Sequence, residues 1–389
     1  MRGDEAREWV FMKITDMKVF VVGNPWKNWI FVKLYTDAGI TGLGEATSGL
    51  SSKPTVGMLE ELKRHLIGED PRNISYIRDK IHKALFLGSG GSAVAGVDVA
   101  CWDILGKSLN APVYALLGGK ARDRIRCYAN GWYQGPRTPE FFGEAAARMA
   151  KMGYTALKFD PFGKNYMYMP AEEERLSIDI VAAVRKAVGN DVDILIEGHD
   201  RFSISQAVKV GLLLEPYNPM WFETPVMSTD AAAINEVARR VRVPIISGER
   251  SKDAADIADA LKDKAINMVN PEYLGVGGVS GLVECFAVAR AFGAYVAPHN
   301  AQSPVSTAIN SHVDIAMPNL LIQENFDDSS VGWTDDVLSG YPKVVDGYIT
   351  PSDAPGFGVE LNEEEALKHP YGEKNFLRLF EEGWERRNN

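Results

Sequence analysis

Three glutamates sit at even intervals of 26 residues: Glu197 in the segment DILIEG, Glu223 in MWFETP and Glu249 in IISGER. A repeat of that size accommodates one strand, one helix and two loops. Three carboxylates at successive strand ends of a barrel make an oxygen cage for a hard divalent cation.

The rest of the chain fits that repeat. From Arg124 onward, strands are predicted at Ile125–Asn130, Thr155–Asp160, Asp193–His199, Met220–Glu223, Pro244–Gly248, Ala265–Asn270, Ala294–His299 and Leu320–Glu324, with helical stretches between them. One helix has clear bounds: Thr138 as N-cap, Pro139 at the first helical position and Gly153 as stop. Eight strands with intervening helices over about two hundred residues predict a (β/α)8-type barrel. A doubly wound sheet is the rival, but no GxGxxG follows the first strand.

Before the barrel, the run Trp29–Tyr35 and the run Thr41–Ala46 flank the turn Thr36-Asp37-Ala38-Gly39, a hairpin signal. Ala93–Asn110 keeps apolar residues at helical spacing, and Pro112 with Gly118-Gly119 marks a boundary. The organisation expected is an α+β domain over 1–123, a barrel over 124–335, and a tail over 336–389 that packs back on the first domain. An amphipathic helix is expected near Lys374–Arg387.

With 389 residues, 46% of them hydrophobic, the chain can bury a large core. Its net charge of −10 argues against a nucleic-acid surface, and no basic run opposes that. An anionic substrate stays open, because a metal and a few local cations set the field inside a site. Cys101, Cys127 and Cys285 form no CxxC pair, and their odd number suits a reducing compartment. Met1–Asp16 lacks the apolar core of a signal peptide, and no run is long enough to span a bilayer. A soluble cytoplasmic protein is expected.

Catalytic groups of such barrels lie at the C-terminal strand ends. Here those ends offer Lys158 and Asp160, Glu197 and His199, Glu223, Glu249, Glu272, His299 and Glu324. Residues two apart on a strand share a face, so His199 is expected beside Glu197 at the barrel mouth. His199 could be a fourth ligand, but an all-carboxylate cage suits magnesium, so proton transfer is the better role. A single strand-end carboxylate is more often a cap or a surface ion-pair partner. The joint placement of three glutamates, a lysine and two of only six histidines outweighs that reading. His65, His82, His312 and His369 receive no function. Trp132 and Tyr133 follow the first barrel strand and could line a pocket or simply pack.

The segment Val97–Lys107 (VDVACWDILGK) with Leu116–Gly119, and Pro355–Glu360 (PGFGVE), resemble signatures of the mandelate racemase subgroup of the enolase superfamily. Within it, YANGWYQ (Tyr128–Gln134), GYTALKFDPFG (Gly153–Gly163) and DILIEGHDRF (Asp193–Phe202) look like the gluconate dehydratases. The resemblance implies a (β/α)7β barrel, a modified TIM barrel, under an α+β capping domain. It implies one Mg²⁺ per subunit on Glu197, Glu223 and Glu249. Lys158 would neutralise the substrate carboxylate. His299 would be the base oriented by Glu272, Glu324 would lie beside the enediolate oxygen, and His199 would be the acid. Family members usually form homo-oligomers.

Two positions depart from the family pattern. Asp160 stands where racemases carry a second lysine, which disfavours two-base racemisation. Glu272 stands where the orienting residue is usually aspartate, one methylene shorter. The activity implied is dehydration of an anionic sugar acid, an aldonate such as gluconate or galactonate, to a 2-keto-3-deoxy acid. Epimerisation, action on an aldarate, and a non-catalytic metal-binding protein are the alternatives. Substrate choice would lie in the capping loops Gly23–Asn28 and Thr47–Pro54, where Lys27 and Asn28 are candidate contacts beside Asp160 and Trp132.

Overall fold

The computed structural model describes residues 11–49, 51–85, 90–329 and 331–386. Most of the Met1–Asp16 reading, one residue of the 47–54 loop, and the end of the expected tail helix therefore lie outside the described residues.

The first domain opens with an antiparallel sheet of β1 (Ile14–Gly23), β2 (Asn28–Thr36) and β3 (Thr41–Glu45). Helices Ser52–Leu66, Ile74–Ala84 and Gly91–Leu109 cover one face. The last packs so closely on β3 that a Cβ at Gly44 would lie 2.0 Å from the Gly96 carbonyl oxygen. Only glycine permits that approach.

All eight expected barrel strands form: β4 (Ile125–Ala129), β5 (Ala156–Phe159), β6 (Asp193–Glu197), β7 (Trp221–Glu223), β8 (Ile245–Ile246), β9 (Met268–Val269), β10 (Tyr295–Val296) and β11 (Gln323–Asn325). They run parallel in chain order. The bridges Ser247–Val269 and Val296–Leu320 complete the ring between β8, β9, β10 and β11. Among the described residues only short helical turns, Asp327–Ser329 and Thr334–Val337, lie between β11 and the tail, so the architecture is (β/α)7β.

The inward face explains where the chemistry sits. One buried residue from each strand or its margin forms an apolar floor: Tyr128, Ala156, Leu195, Trp221, Ile246, Met268, Ala297 and Ile322. Two residues further along each segment, on the same face, stand Asn130, Lys158, Glu197, Glu223, Gly248, Asn270, His299 and Glu324. The floor is buried and largely apolar, and the layer above it is almost entirely polar.

The tail does not form the expected helix near Lys374–Arg387. Short turns at 373–374, 379–380 and 382–383, separated by irregular chain, precede a single 3₁₀ turn at Trp384–Arg386. Phe380 and Gly383 both have positive φ, which no helix tolerates. Upstream, the tail pairs Tyr348–Ile349 with β4, and Glu363 receives Lys33 at 2.7 Å and the Tyr35 hydroxyl at 2.7 Å. Among the described residues, no helix is long and apolar enough to cross a membrane. Cys101, Cys127 and Cys285 are free and buried.

Candidate active site

Glu197, Glu223 and Glu249 each offer a carboxylate oxygen, and the three oxygens lie within 4.8 Å of one another. Glu197 and Glu223 belong to the polar layer directly. Glu249 lies one residue beyond the inward position, which Gly248 occupies with φ 140°. That conformation, closed to side chains, turns Glu249 back toward the other two. Glu197 is steadied by the His199 backbone N–H (2.7 Å) and the Thr224 hydroxyl (3.0 Å). Glu223 accepts from Trp221 Nε1 and Asn270 Nδ2, each at 2.9 Å.

This cluster carries unbalanced negative charge. Burial, then the charge of Glu197, pushes Glu223 up to about 7 despite Lys158. Burial also raises Glu249, with His299 opposing. Hard oxygen donors with surplus negative charge fit a divalent cation. Lys158 Nζ lies 2.9 Å from both Glu223 and Glu324 and 3.2 Å from Glu197. Burial would lower this ammonium's pKa, but the carboxylates raise it well above the ordinary lysine value.

The two histidines occupy β6 and β10 ends, four strands apart in an eight-membered ring, so they face each other across the mouth. His299 Nε2 lies 3.7 Å from Glu249 and 4.0 Å from Glu324, while its Nδ1 lies 3.4 Å from Glu272 Oε1. That last separation is long for a hydrogen bond and is an ion-pair contact. Burial opposes charge on His299, but Glu324 and Glu272 outweigh it and raise the imidazole to about 10. Glu324 is held at about 2: burial raises it, and Lys158 and His299 more than offset that.

The position of His199 has a different cause from strand alternation. β6 ends at Glu197, and His199 and Asp200 both take left-handed φ, 48° and 58°. The imidazole is set by Asp160, whose Oδ2 lies 2.6 Å from His199 Nδ1. No histidine joins the three-glutamate group among the described residues.

Three sequence expectations are corrected. Asp160 is fully buried behind His199. Its carboxylate is shared between His199, Arg201 and the Phe162 N–H, so it orients the imidazole and has no face for substrate. Asn28 spends its amide on the tail: Nδ2 donates to the carbonyls of Gly372 (2.9 Å) and Asn375 (3.2 Å), and Oδ1 accepts from Gly372 N–H (2.8 Å). Trp132 packs on Tyr133, Phe142 and Phe159, outside the barrel wall. Asn28→Ala is expected to lower unfolding free energy by about 1.5–4.5 kcal/mol, since each of the three lost hydrogen bonds contributes about 0.5–1.5. A urea titration reads this, and an unchanged midpoint would contradict it.

Lys27 does reach the site. Its Nζ donates to Gln302 Oε1 at 3.1 Å, and Gln302 Nε2 donates to Glu272 Oε1, the oxygen that faces His299. Gln302 thus braces the longer carboxylate. Other contributors escaped the sequence reading. Arg201, with no exposed surface, bonds Asp160 and the Gly198 and Gly163 carbonyls (2.9 and 2.7 Å). Asn130 Nδ2 and Asn300 N–H each donate to Glu324 at 2.7 Å. Glu45 at the end of β3 accepts from Ser303 Oγ (2.6 Å), Ser303 N–H (3.2 Å) and Thr47 Oγ1 (2.5 Å). Burial pushes this carboxyl up to about 7 against those bonds. Of these, only Arg201 had a local signal, the DRF that follows Gly198-His199.

A capped (β/α)7β barrel with three strand-end glutamates defines the enolase superfamily. The chain belongs to its mandelate racemase and muconate lactonizing enzyme family. Residues 15–118 match the mandelate racemase/muconate lactonizing enzyme N-terminal domain, and residues 142–366 match the domain described as enolase C-terminal domain-like. The chain is 36% identical to the D-gluconate dehydratase of Thermoproteus tenax, over 87% of this chain and 69% of that protein. It is 34% identical to the D-gluconate/D-galactonate dehydratase of Picrophilus torridus, over 88% of each. A crystal structure of an enolase-superfamily member from Salmonella Typhimurium superposes with a TM-score of 0.88 at 31% identity, covering 92% of this chain and 98% of that one.

Proposed function

We propose that the chain is a Mg²⁺-dependent hydro-lyase that dehydrates an aldonate, of the gluconate or galactonate kind, to a 2-keto-3-deoxy acid. The observation that carries this reading is the pair of histidines on opposite sides of the carboxylate ring. His299 is backed by Glu272 and His199 by Asp160. One base and one acid flanking a substrate are what β-elimination requires. Relatives named gluconate and galactonate dehydratases support the same class.

Glu197, Glu223 and Glu249 would hold the ion, which supplies Lewis-acid charge beside the substrate carboxylate. Lys158 adds a fixed positive charge to a cluster that would otherwise repel an anion. A cation on the three glutamates would offset the negative charge that raises His299, and the neutral imidazole's Nε2 then takes the C2 proton, leaving the electron pair delocalised into the carboxylate. That pair then forms the C2–C3 double bond as the C3–O bond breaks. His199 Nε2 protonates the departing hydroxyl, and water leaves. The enol loses its 2-hydroxyl proton and gains one at C3, from His299 or solvent, and becomes the 2-keto acid. Asp160 stands where racemases carry a second lysine and is committed to His199 and Arg201, which favours elimination over two-base racemisation.

The test is a screen of the Mg²⁺-loaded protein against aldonic and aldaric acids, detecting 2-keto acids by semicarbazone absorbance. A gluconate or galactonate hit is the expected result, and no 2-keto acid from any aldonate overturns the reading. His199→Asn is expected to slow dehydration by about a hundredfold or more, while solvent deuterium still enters C2. Undiminished dehydration in that variant would remove His199 from the acid role.

A further inference from the structure

We infer that Trp384, in the C-terminal tail, is a positioning residue that holds His199 on the acid side of the pocket. The inference rests on the dehydratase reading, in which His199 is the proton donor. The tail leaves the capping domain at His369, whose carbonyl accepts from Gly23 N–H at 2.8 Å, and is pinned by Asn28 at Gly372 and Asn375. It then crosses to the barrel mouth. The Phe380 ring lies 5.0 Å from the Arg201 guanidinium and 5.3 Å from the Tyr166 ring. Trp384 is buried, and its indole stands almost perpendicular to the His199 imidazole, centroids 5.8 Å apart at 88°. It meets Tyr133 in the same way at 6.3 Å and 87°.

Trp384 and His199 also share an anchor. Trp384 Nε1 donates to the Gly163 carbonyl at 3.1 Å, and Arg201 Nη1 donates to that same carbonyl at 2.7 Å. Arg201 in turn holds Asp160, and Asp160 holds His199 Nδ1. A single hydrogen bond at Nδ1 fixes one end of the imidazole but leaves the ring free to rock about it. An edge-to-face aromatic contact on its flank removes that freedom. Nε2 is then kept on the line to the leaving hydroxyl, and orientation of this kind governs transfer rates. Trp384 reaches this contact through an irregular chain ending in a 3₁₀ turn, in place of the expected helix.

The test compares wild type with Trp384→Leu, which keeps bulk without the aromatic ring, and Trp384→Phe, which keeps the ring. Dehydration and entry of solvent deuterium into C2 of recovered substrate are measured in the same samples. Misplacing the acid slows only the elimination. In Trp384→Leu the ratio of exchange to dehydration is therefore expected to rise about tenfold or more, and in Trp384→Phe to stay within about threefold of wild type. A general structural role would lower both rates together, so an unchanged ratio in Trp384→Leu overturns the assignment. Wild type that dehydrates no sugar acid overturns the functional reading itself, and the role of Trp384 with it.

Discussion

Chelation of the divalent ion is expected to abolish turnover and lower the melting temperature, and added Mg²⁺ to restore both. Three carboxylates, two buried and Glu249 partly so, converge within 4.8 Å, and burial with mutual repulsion raises two of them. An ion bound only by the folded chain, at about 100 times its Kd, adds about 2.7 kcal/mol of stability. The ligands must be deprotonated to bind, and Glu223 is raised to about 7. Apparent affinity for the ion should therefore weaken as pH falls through about 7, because protons then compete at that carboxylate. Turnover undisturbed by excess chelator, with no thermal shift on adding Mg²⁺, would sink the metal-centre assignment.

His299→Asn is expected to lower dehydration by about 10²–10⁴ and, unlike His199→Asn, to abolish deuterium entry at C2 as well. His299 faces Glu249 and Glu324 through Nε2 and Glu272 through Nδ1, so one nitrogen is oriented while the other meets the substrate. Asparagine fits the space but cannot accept a proton at that position. KM should change little, because substrate charge is met by Lys158 and the ion. A variant that still exchanges the C2 proton at the wild-type rate would show that another group is the base.

The barrel was readable because short strand-like runs recur between helical stretches, and in seven of the eight an apolar floor residue lies two positions before a polar one. The even spacing of the glutamates was readable too, yet it hid a register change. Glu249 is one residue past its inward position and is recovered only by the backbone of Gly248. His199 was expected beside Glu197 from strand periodicity, whereas two consecutive left-handed residues and a remote carboxylate place it there. Such contacts join residues far apart in the chain, and no local pattern announces them. Asn28 and Trp132 misled for the opposite reason. A polar loop residue and an aromatic at a strand end look alike whether they face a ligand or a neighbouring segment. The tail misled because Phe376, Leu377, Phe380 and Trp384 are spaced as on a helix, while turns and the positive φ of Phe380 and Gly383 carry the chain to the barrel mouth without one.

The bond between Glu45 and Ser303 makes the capping domain a structural owner of the loop that follows β10. Ser303 accepts from Val305 N–H at the start of helix Pro304–Ala316 and gives its own proton to Glu45, and His299 and Gln302 lie on the same loop. Local opening of the cap, at a free-energy cost below that of global unfolding, would release this loop while the barrel stays intact. Activity in rising urea should then fade ahead of the far-ultraviolet helical signal. Insertions that retailor the 47–54 loop for a new substrate would meet their first limit in the grip of Glu45, before any limit set by the barrel wall.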